Sequence, residues 1–301
     1  MRERARIKFQ PDGCRLHLHD GPIDLIIEAF GVAGEVNAAY RAAAKRFVTV
    51  LDELCGELPL LRQRARAGCP PQVGVIATRM VVAVLPYSER SFITPMAAVA
   101  GAVAEEILGS MTSAATLSRA YVNNGGDIAL HLVPGESFAV GMVERPDRPS
   151  LFGKVELRST EPVRGIATSG WRGRSFSLGI ADAVTVLADR AAMADAAATI
   201  IANAVDLPGH PRVTRVPACD LAPDNDLGGR LVTRGVGELS QDEIAAALNA
   251  GVAVADLLLS AGLIRSAALH LCGETRIVSI SAGSEQVTAS PEQSRRSLVH
   301  A

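Results

Sequence analysis

Three polar residues on an otherwise apolar segment, Asp195, Thr199 and Asn203, form the most informative chemical pattern in this sequence. They recur every four residues within 191–205, a stretch of high helix propensity without Lys, Arg, Glu or Gln, so they share one face of a helix. A carboxylate and a hydroxyl about 6 Å apart on adjacent turns can bind one hard cation or one phosphate. The alternative is a narrow solvent-facing strip on a buried helix, and this segment alone favours neither interpretation.

Three further segments carry small or polar residues that suit a ligand. The run Thr94-Pro95-Met96-Ala97-Ala98 begins a helix of small residues, whose free first-turn amides would attract phosphate. Asn123-Asn124-Gly125-Gly126-Asp127 crowds polar groups at a strand end, and Ala167-Thr168-Ser169-Gly170 precedes two arginines, Arg172 and Arg174. The structural alternatives are a tight helix–helix contact, a plain hairpin turn and a surface loop, respectively.

The composition restricts the class of protein. The chain has 301 residues, 48% hydrophobic and 21% charged, with a net charge of -2 and no run of basic residues that would suit nucleic acid. Its five cysteines are scattered, which argues against a disulfide framework or a zinc site and favours reduced thiols. We find no signal peptide and no charge-free apolar run of the ~20 residues that span a bilayer. We therefore expect a cytoplasmic protein without a membrane or nucleic-acid partner.

Hydrophobic periodicity predicts the elements that must position these segments. Strands are predicted at 4–9, 14–19, 23–29, 118–123, 126–133, 137–143, 151–158, 163–167, 183–188, 267–271 and 275–280. Helices are predicted at 36–55, 73–84, 95–110, 191–205 and 241–261, with irregular chain at 56–72 and 206–238. Because strands and helices do not alternate regularly, the pattern favours an α+β fold. We expect one domain over 1–285 and a polar, disordered tail at 286–301.

Taken together, these segments resemble the ApbE family of flavin transferases. Asn123-Asn124-Gly125-Gly126-Asp127 matches the family's Asn-x-Gly-Gly-Asp, and Ala167-Thr168-Ser169-Gly170 matches its Ala-Thr-Ser-Gly. The strand at 183–188 and the Asp195 helix are similar to its closing strand and metal-binding helix. The chain most resembles a cytosolic, poorly characterised ApbE-related branch of prokaryotes that carries the Thr-Pro-Met-Ala-Ala-Val-Ala-Gly run.

The resemblance implies an ApbE-like, T-fold-related mixed sheet with packed helices, and the cofactors Mg²⁺ and FAD. ApbE proteins cleave the FAD pyrophosphate and attach FMN to a Thr of an acceptor protein. By resemblance, Asp195 and Thr199 would be catalytic metal ligands, joined by a backbone carbonyl near Ala97. The cofactor-binding residues implied by the matched motifs are Thr94, Pro95, Met96, Ala97, Ala98, Asn123, Asn124, Gly126, Asp127, Thr168, Ser169 and Gly170.

One segment departs from the family pattern. ApbE transferases carry His-x-x-Asp-Pro-x-x-Gly before the metal helix, whereas residues 175–182 of this chain contain neither His nor Pro. The leading hypothesis is an Mg²⁺-dependent protein that binds FAD and cleaves it or transfers FMN. The alternatives are a non-catalytic flavin-binding accessory protein in sulfur assimilation (homocysteine synthesis) and a scaffold that has lost its ligand. A shared metal site requires the helices at 95–110 and 190–205 to be adjacent.

Overall fold

The computed structural model describes residues 5–68, 74–143, 151–279 and 298–300. The strands are β1 Arg6–Phe9, β2 Leu16–Asp20, β3 Ile23–Phe30, β4 Arg119–Asn124, β5 Asp127–Leu132, β6 Ser137–Val143, β7 Leu151–Arg158, β8 Gly165–Ser169, β9 Ala183–Ala188, β10 Val213–Pro217, β11 Leu231–Val236, β12 Ser266–Leu271, β13 Glu274–Ser279 and β14 Leu298–His300. The helices are α1 Ala33–Leu61, α2 Val75–Val84, α3 Val99–Ala114, α4 Ala191–Ala204, the one-turn α5 Ala218–Leu221 and α6 Gln241–Ser260. Short 3-10 turns lie at Leu85–Tyr87 and Pro95–Ala98.

Nine strands form one sheet in the order β1-β2-β3-β4-β5-β8-β9-β12-β13, and each neighbouring pair is antiparallel. Burial alternates along β3, where Leu25 and Ile27 are buried and Asp24 and Ile26 are half-buried, as expected for a sheet with one covered face. Helices α1, α3, α4 and α6 pack against that face. The predicted α+β fold is confirmed.

A smaller sheet of three strands lies beside the main one, in the order β14-β6-β7. A second apolar cluster, which contains Tyr121 and Ile128 of the main sheet together with Phe138 and Leu157, joins the two sheets. Strand β14 pairs with β6 in parallel. The predicted disordered tail therefore includes three residues that form a strand, and its remaining residues lie outside the described ones.

Helices α3 and α4 are adjacent, as the shared-site hypothesis requires. A Cβ atom at Gly101 of α3 would lie 2.7 Å from the backbone nitrogen of Ala192, so glycine is what allows the two backbones to approach. The helices also cap each other. Asp195 of α4 accepts a hydrogen bond from the Gly101 amide over 3.0 Å, and Glu105 of α3 accepts one from the Ala192 amide over 2.9 Å.

Two predictions about helix limits were wrong. Helix α1 does not end near residue 55 but continues to Leu61, although it contains Pro59. A proline near the end of a helix removes few hydrogen bonds, and burial of Leu61 holds the last turn in place. The helix predicted from Pro95 begins as a 3-10 turn, and α3 starts only at Val99 because Ala98 leaves helical geometry at φ -129° and ψ 11°.

The segment 206–238 was predicted to be irregular, yet it contains the antiparallel pair β10 and β11. The pairing shifts register between Thr214 and Arg215, and the exposed and buried positions do not alternate regularly. This irregularity removes the period-two pattern by which strands are predicted from sequence. The pair is tied to the rest of the molecule by a hydrogen bond from the Thr233 amide to the Ser177 carbonyl.

Among the described helices, α6 alone has the length and apolar composition of a membrane-spanning segment. In this fold Ile244, Leu248 and Ala255 are buried, and the helix packs against α4, β12 and β13. The helix begins with a capping box, in which Ser240 and Glu243 bond each other's backbone amides.

Candidate functional site

A cavity of about 580 Å³ opens at the end of the sheet where β4 turns into β5 and where β8 ends. Helix α4 and the start of α3 form its other walls. The sequence-predicted residues that line it are Met96, Ala97, Asn124, Gly126, Asp127, Thr168, Ser169, Gly170, Asp195 and Thr199. The fold therefore brings together segments that the sequence analysis had singled out independently.

Asp195 lies on the cavity wall with a carboxylate that is half-buried. Burial and the nearby charge of Asp127 raise the pKa of Asp195 well above its usual range, and the amides of Ala100 and Gly101 oppose this increase only in part. The carboxylate thus has two tasks. It caps the first turn of α3, which favours its negative charge, and it faces the second carboxylate in the cavity.

Asp127 is the first residue of β5 and is also half-buried on the cavity wall. Burial raises the pKa of Asp127, while the hydrogen bond from the Thr168 amide (3.3 Å) and the charge of Arg174 lower it. Asp127 and Asp195 therefore form a pair of neighbouring carboxyls. Full ionisation of both is unfavourable without a cation.

The side chains available to a cation at this pair are Asp127, Asp195 and the hydroxyl of Thr199, which lines the same cavity. Within the described residues, no group of three His, Cys, Asp or Glu side chains is arranged to hold a metal. Mg²⁺ accepts hard oxygen ligands and is commonly held by one or two carboxylates, with phosphate and water completing its shell. The donor set fits Mg²⁺ bound together with a phosphate ligand and does not fit a closed, all-protein metal site.

Polar backbone and side-chain contacts fix the two strand ends. Asn124 is buried and donates from Nδ2 to the Ala100 carbonyl over 3.2 Å, which ties the β4–β5 turn to the start of α3. The Thr168 hydroxyl pairs with that of Thr185 on β9 at 2.8 Å. These bonds hold the walls of the cavity in place without involving the carboxyl of Asp195.

Two arginines follow the end of β8 and have different environments. Arg174 is exposed and lines the cavity, beside the β4–β5 turn. Arg172 does not line the cavity; its Nε donates to Asp182 over 2.5 Å, and its guanidinium carbon lies 4.3 Å from the ring centre of Trp171. Both arginines follow a segment that was predicted to bind a ligand, and of the two only Arg174 lines the cavity.

The loop before β11 contributes two lining residues that the sequence analysis missed, Asp226 and Leu227. Asp226 accepts a hydrogen bond from the hydroxyl of Thr94. The Asn225 side chain shapes the loop by accepting from the amides of Leu227 (2.6 Å) and Gly228 (2.8 Å). The sequence feature that could have indicated this loop is the polar run Asp224-Asn225-Asp226 shortly before two glycines. Nothing in the sequence connects this run with the other segments that line the cavity, because they lie far from it along the chain.

Four predicted cofactor-binding residues lie beside the cavity and do not line it. Thr94 is buried and bonds Asp226, and Pro95 and Ala98 are buried in the 3-10 turn. Asn123 accepts from the Gly126 amide over 2.8 Å and so shapes the turn. In the first turn of α3 the Gly101 amide donates to Asp195, so this amide is not free to bind phosphate.

The sequence model of a protein family described as AbpE bacteria matches residues 7–277. A UPF0280 protein of Methanopyrus kandleri is 46% identical over 110 residues, which cover 36% of this chain and 42% of that protein. A UPF0280 protein of Methanococcoides burtonii is 40% identical over 119 residues, or 39% of this chain and 48% of that protein. The match thus spans about half the length of these curated relatives.

Two solved structures are similar to the chain at low sequence identity. A variant of the flavin transferase ApbE from Vibrio cholerae has a TM-score of 0.45 and 12% identity, covering 92% of this chain and 97% of that chain. A second structure of that transferase has a TM-score of 0.32 and 15% identity, covering 85% and 77%.

Proposed function

The chain belongs to the protein family described as AbpE bacteria, within the ApbE-like superfamily, and we propose that its cavity binds FAD together with Mg²⁺ and promotes cleavage of the pyrophosphate. The observation that carries the proposal is the carboxyl pair Asp127 and Asp195 at the wall of a cavity of about 580 Å³. Volumes of this size are typical of small-molecule sites. The two carboxyls repel each other, and a divalent cation between them and a phosphate would remove that cost.

The proposed reaction is phosphoryl transfer at the FMN phosphorus of FAD. A hydroxyl oxygen, from water or from a Thr of an acceptor protein, forms a new bond to this phosphorus. The bond from the phosphorus to the bridging oxygen breaks, AMP leaves with the electron pair, and the hydroxyl proton is released. Bound Mg²⁺ would polarise the pyrophosphate and offset the charge that develops on AMP.

The chain's own residues supply binding and orientation in this proposal. Asp127 and Asp195 would hold the cation, with the Thr199 hydroxyl as a further oxygen. The residues of the β8 end, Thr168 and Ser169, would donate hydrogen bonds to the nucleotide. The small residues Ala97 and Ala100 on the facing wall leave room for it, because neither side chain extends beyond Cβ.

The direct test incubates the purified protein with FAD, with and without Mg²⁺, and separates the products by chromatography. FMN and AMP are expected only when Mg²⁺ is present. In Asp195→Asn the amide oxygen can still accept from Gly101, but the site loses a charge. Its affinity for Mg²⁺ should therefore fall at least tenfold, about 1.4 kcal/mol.

The matched control is Asp224→Asn, which removes an exposed carboxylate in the same loop as Asp226 without touching the cavity. This variant should behave as the parent does. If neither FAD nor Mg²⁺ binds the parent protein, the proposal is wrong. If Asp195→Asn responds to Mg²⁺ as the parent does, Asp195 is a structural cap for α3 and not a metal ligand.

One observation favours the non-catalytic alternative, a flavin-binding accessory protein. Among the residues that the structure describes, none that lines the cavity is a His or Cys, and the segment at 175–182 contributes only Ser175 and Phe176 to it. An acceptor hydroxyl would then need its proton removed by a carboxylate or by solvent. FAD binding without release of AMP in the same experiment would support this alternative over the enzyme.

A further inference from the structure

We propose that Arg174 recognises the pyrophosphate of the bound dinucleotide, and that this residue makes the site prefer FAD over flavins without phosphate. The inference rests on the proposed function, because it concerns the same cavity. It assigns to one residue the discrimination between a dinucleotide and the uncharged flavin riboflavin.

The position of Arg174 carries the first part of the argument. Its guanidinium lies against Gly125, where a Cβ atom would be 3.0 Å from Cζ, so the turn glycine makes room for this side chain. Arg174, Gly125 and Asp127 line the same cavity, and Gly125 lies two residues before Asp127 in the turn. A cationic group therefore stands on the rim of the cavity, next to the carboxyl pair that would hold Mg²⁺.

Arg174 is also available to a ligand. It is exposed, and it forms no ion pair with the residues that the structure describes. Of the described residues that line the cavity, it is the one Arg, Lys or His. A guanidinium can bind two phosphate oxygens at once with charge-assisted hydrogen bonds, which a lysine cannot reproduce in geometry.

Arg172 provides a natural comparison two residues earlier. Its guanidinium bonds Asp182, whose other oxygen accepts from the Cys272 amide over 2.7 Å, so this arginine belongs to a closed structural network. In this loop, Arg172 therefore bonds other parts of the fold, whereas Arg174 lines the cavity. Only the second should affect ligand discrimination.

The experiment measures the dissociation constants of FAD and riboflavin, in the presence of Mg²⁺, for the parent protein and for Arg174→Gln, Arg174→Lys and Arg172→Gln. Arg174→Gln should weaken FAD binding at least tenfold and change riboflavin binding less than twofold. Arg174→Lys should recover part of the loss. Arg172→Gln should leave the ratio of the two constants unchanged, even if the protein becomes less stable.

Salt dependence provides a second measurement on the same variants. Affinity for FAD should fall with added NaCl more steeply for the parent than for Arg174→Gln, because the variant lacks one charged contact to the pyrophosphate. If the parent does not bind FAD, the proposed function fails. If the parent binds FAD but Arg174→Gln alters neither ligand or weakens both equally, or if salt weakens FAD binding equally in the parent and in Arg174→Gln, the role of Arg174 is overturned and the proposed function stands.

Discussion

At the level of single residues, the polar stripe on α4 is divided between two tasks. Asp195 and Thr199 face the cavity, whereas Asn203 accepts hydrogen bonds from the Leu178 amide (2.9 Å) and the Ser177 hydroxyl (3.3 Å). Asn203 therefore satisfies the backbone of a buried loop rather than a ligand. Polar residues that share one helix face need not share one partner, because the elements opposite that face change along its length.

The carboxyl pair makes stability depend on pH in a defined direction. Burial raises the pKa of both Asp127 and Asp195 above the unfolded value of about 3.9, and the charge of Asp127 raises the pKa of Asp195 further. The folded state thus binds these protons more tightly than the unfolded state. The associated stability is complete below about pH 4 and is lost as pH rises through the raised pKa values.

We therefore expect Asp127→Asn to gain stability over the parent as pH rises from about 4 to 7, by about 1.4 kcal/mol for each unit by which the pKa was raised. Thermal melts in EDTA across this range measure the difference. Groups other than Asp195 titrate alike in both proteins and cancel, and Asp195 in the variant is freed from the repulsion of Asp127, which adds to the gain. If the stability difference between Asp127→Asn and the parent does not change with pH, the pKa of Asp127 is not raised in the folded protein.

How far the site could be predicted differs from residue to residue. Asp195 could be predicted because helix geometry fixes which residues share a face. Asp127 could be predicted because it begins a strand directly after a recognisable turn. Asp226 was missed because its position depends on the docking of β10 and β11 at the cavity, which no local pattern encodes. Local rules position a side chain on its own element, and tertiary packing decides what that element faces.

At the level of elements, the reciprocal capping of α3 and α4 explains how a ligand site and a tight helix contact coexist. A ligand site and a tight helix contact were the two alternatives for the small residues after Thr94. The structure divides them: Gly101 provides the close contact with α4, and Met96 and Ala97, one turn earlier, line the cavity. Close packing at Gly101 brings Asp195 to the first turn of α3, so the contact creates the site.

This arrangement predicts opposite effects for two glycines of the same helix. Gly101→Ala would place a Cβ atom in the backbone of Ala191 and Ala192, and overpacking of this kind costs about 1–3 kcal/mol. Gly109→Ala meets nothing within 4 Å and should stabilise α3 by about 0.5–1 kcal/mol, the usual gain from replacing a helical glycine.

Urea unfolding of both variants provides the measurement. Gly101→Ala should also weaken ligand binding, because it displaces α4 and with it Asp195. Gly109→Ala should bind as the parent does. Equal stability of the two variants would show that α3 and α4 can separate without cost, contrary to the close contact inferred here.

At the level of the whole molecule, the cavity is built from segments far apart in sequence. The start of α3, the β4–β5 turn, the end of β8, helix α4 and the loop before β11 each contribute residues. A ligand that contacts all of them couples the sheet, the helical layer and the β10–β11 pair. Binding should therefore stabilise the folded state as one unit, by an amount that follows from ligand concentration and affinity.

The last prediction is that Mg²⁺ and FAD stabilise the protein cooperatively. Without Mg²⁺, the negative pyrophosphate of FAD would lie close to the carboxyls of Asp127 and Asp195, which repel it. Without FAD, Mg²⁺ lacks the phosphate oxygens that would complete its coordination shell. Each ligand alone should thus shift the melting temperature little. Together, at about one hundred times the dissociation constant, they should contribute about 2.7 kcal/mol, a shift of about 5 °C. Riboflavin with Mg²⁺ is the matched control, since riboflavin lacks the pyrophosphate. The shifts in melting temperature caused by riboflavin and by Mg²⁺ should therefore simply add. Melting curves with each ligand alone and with each pair decide the point: if FAD and Mg²⁺ also act additively, the cation does not bridge the carboxyl pair and the nucleotide.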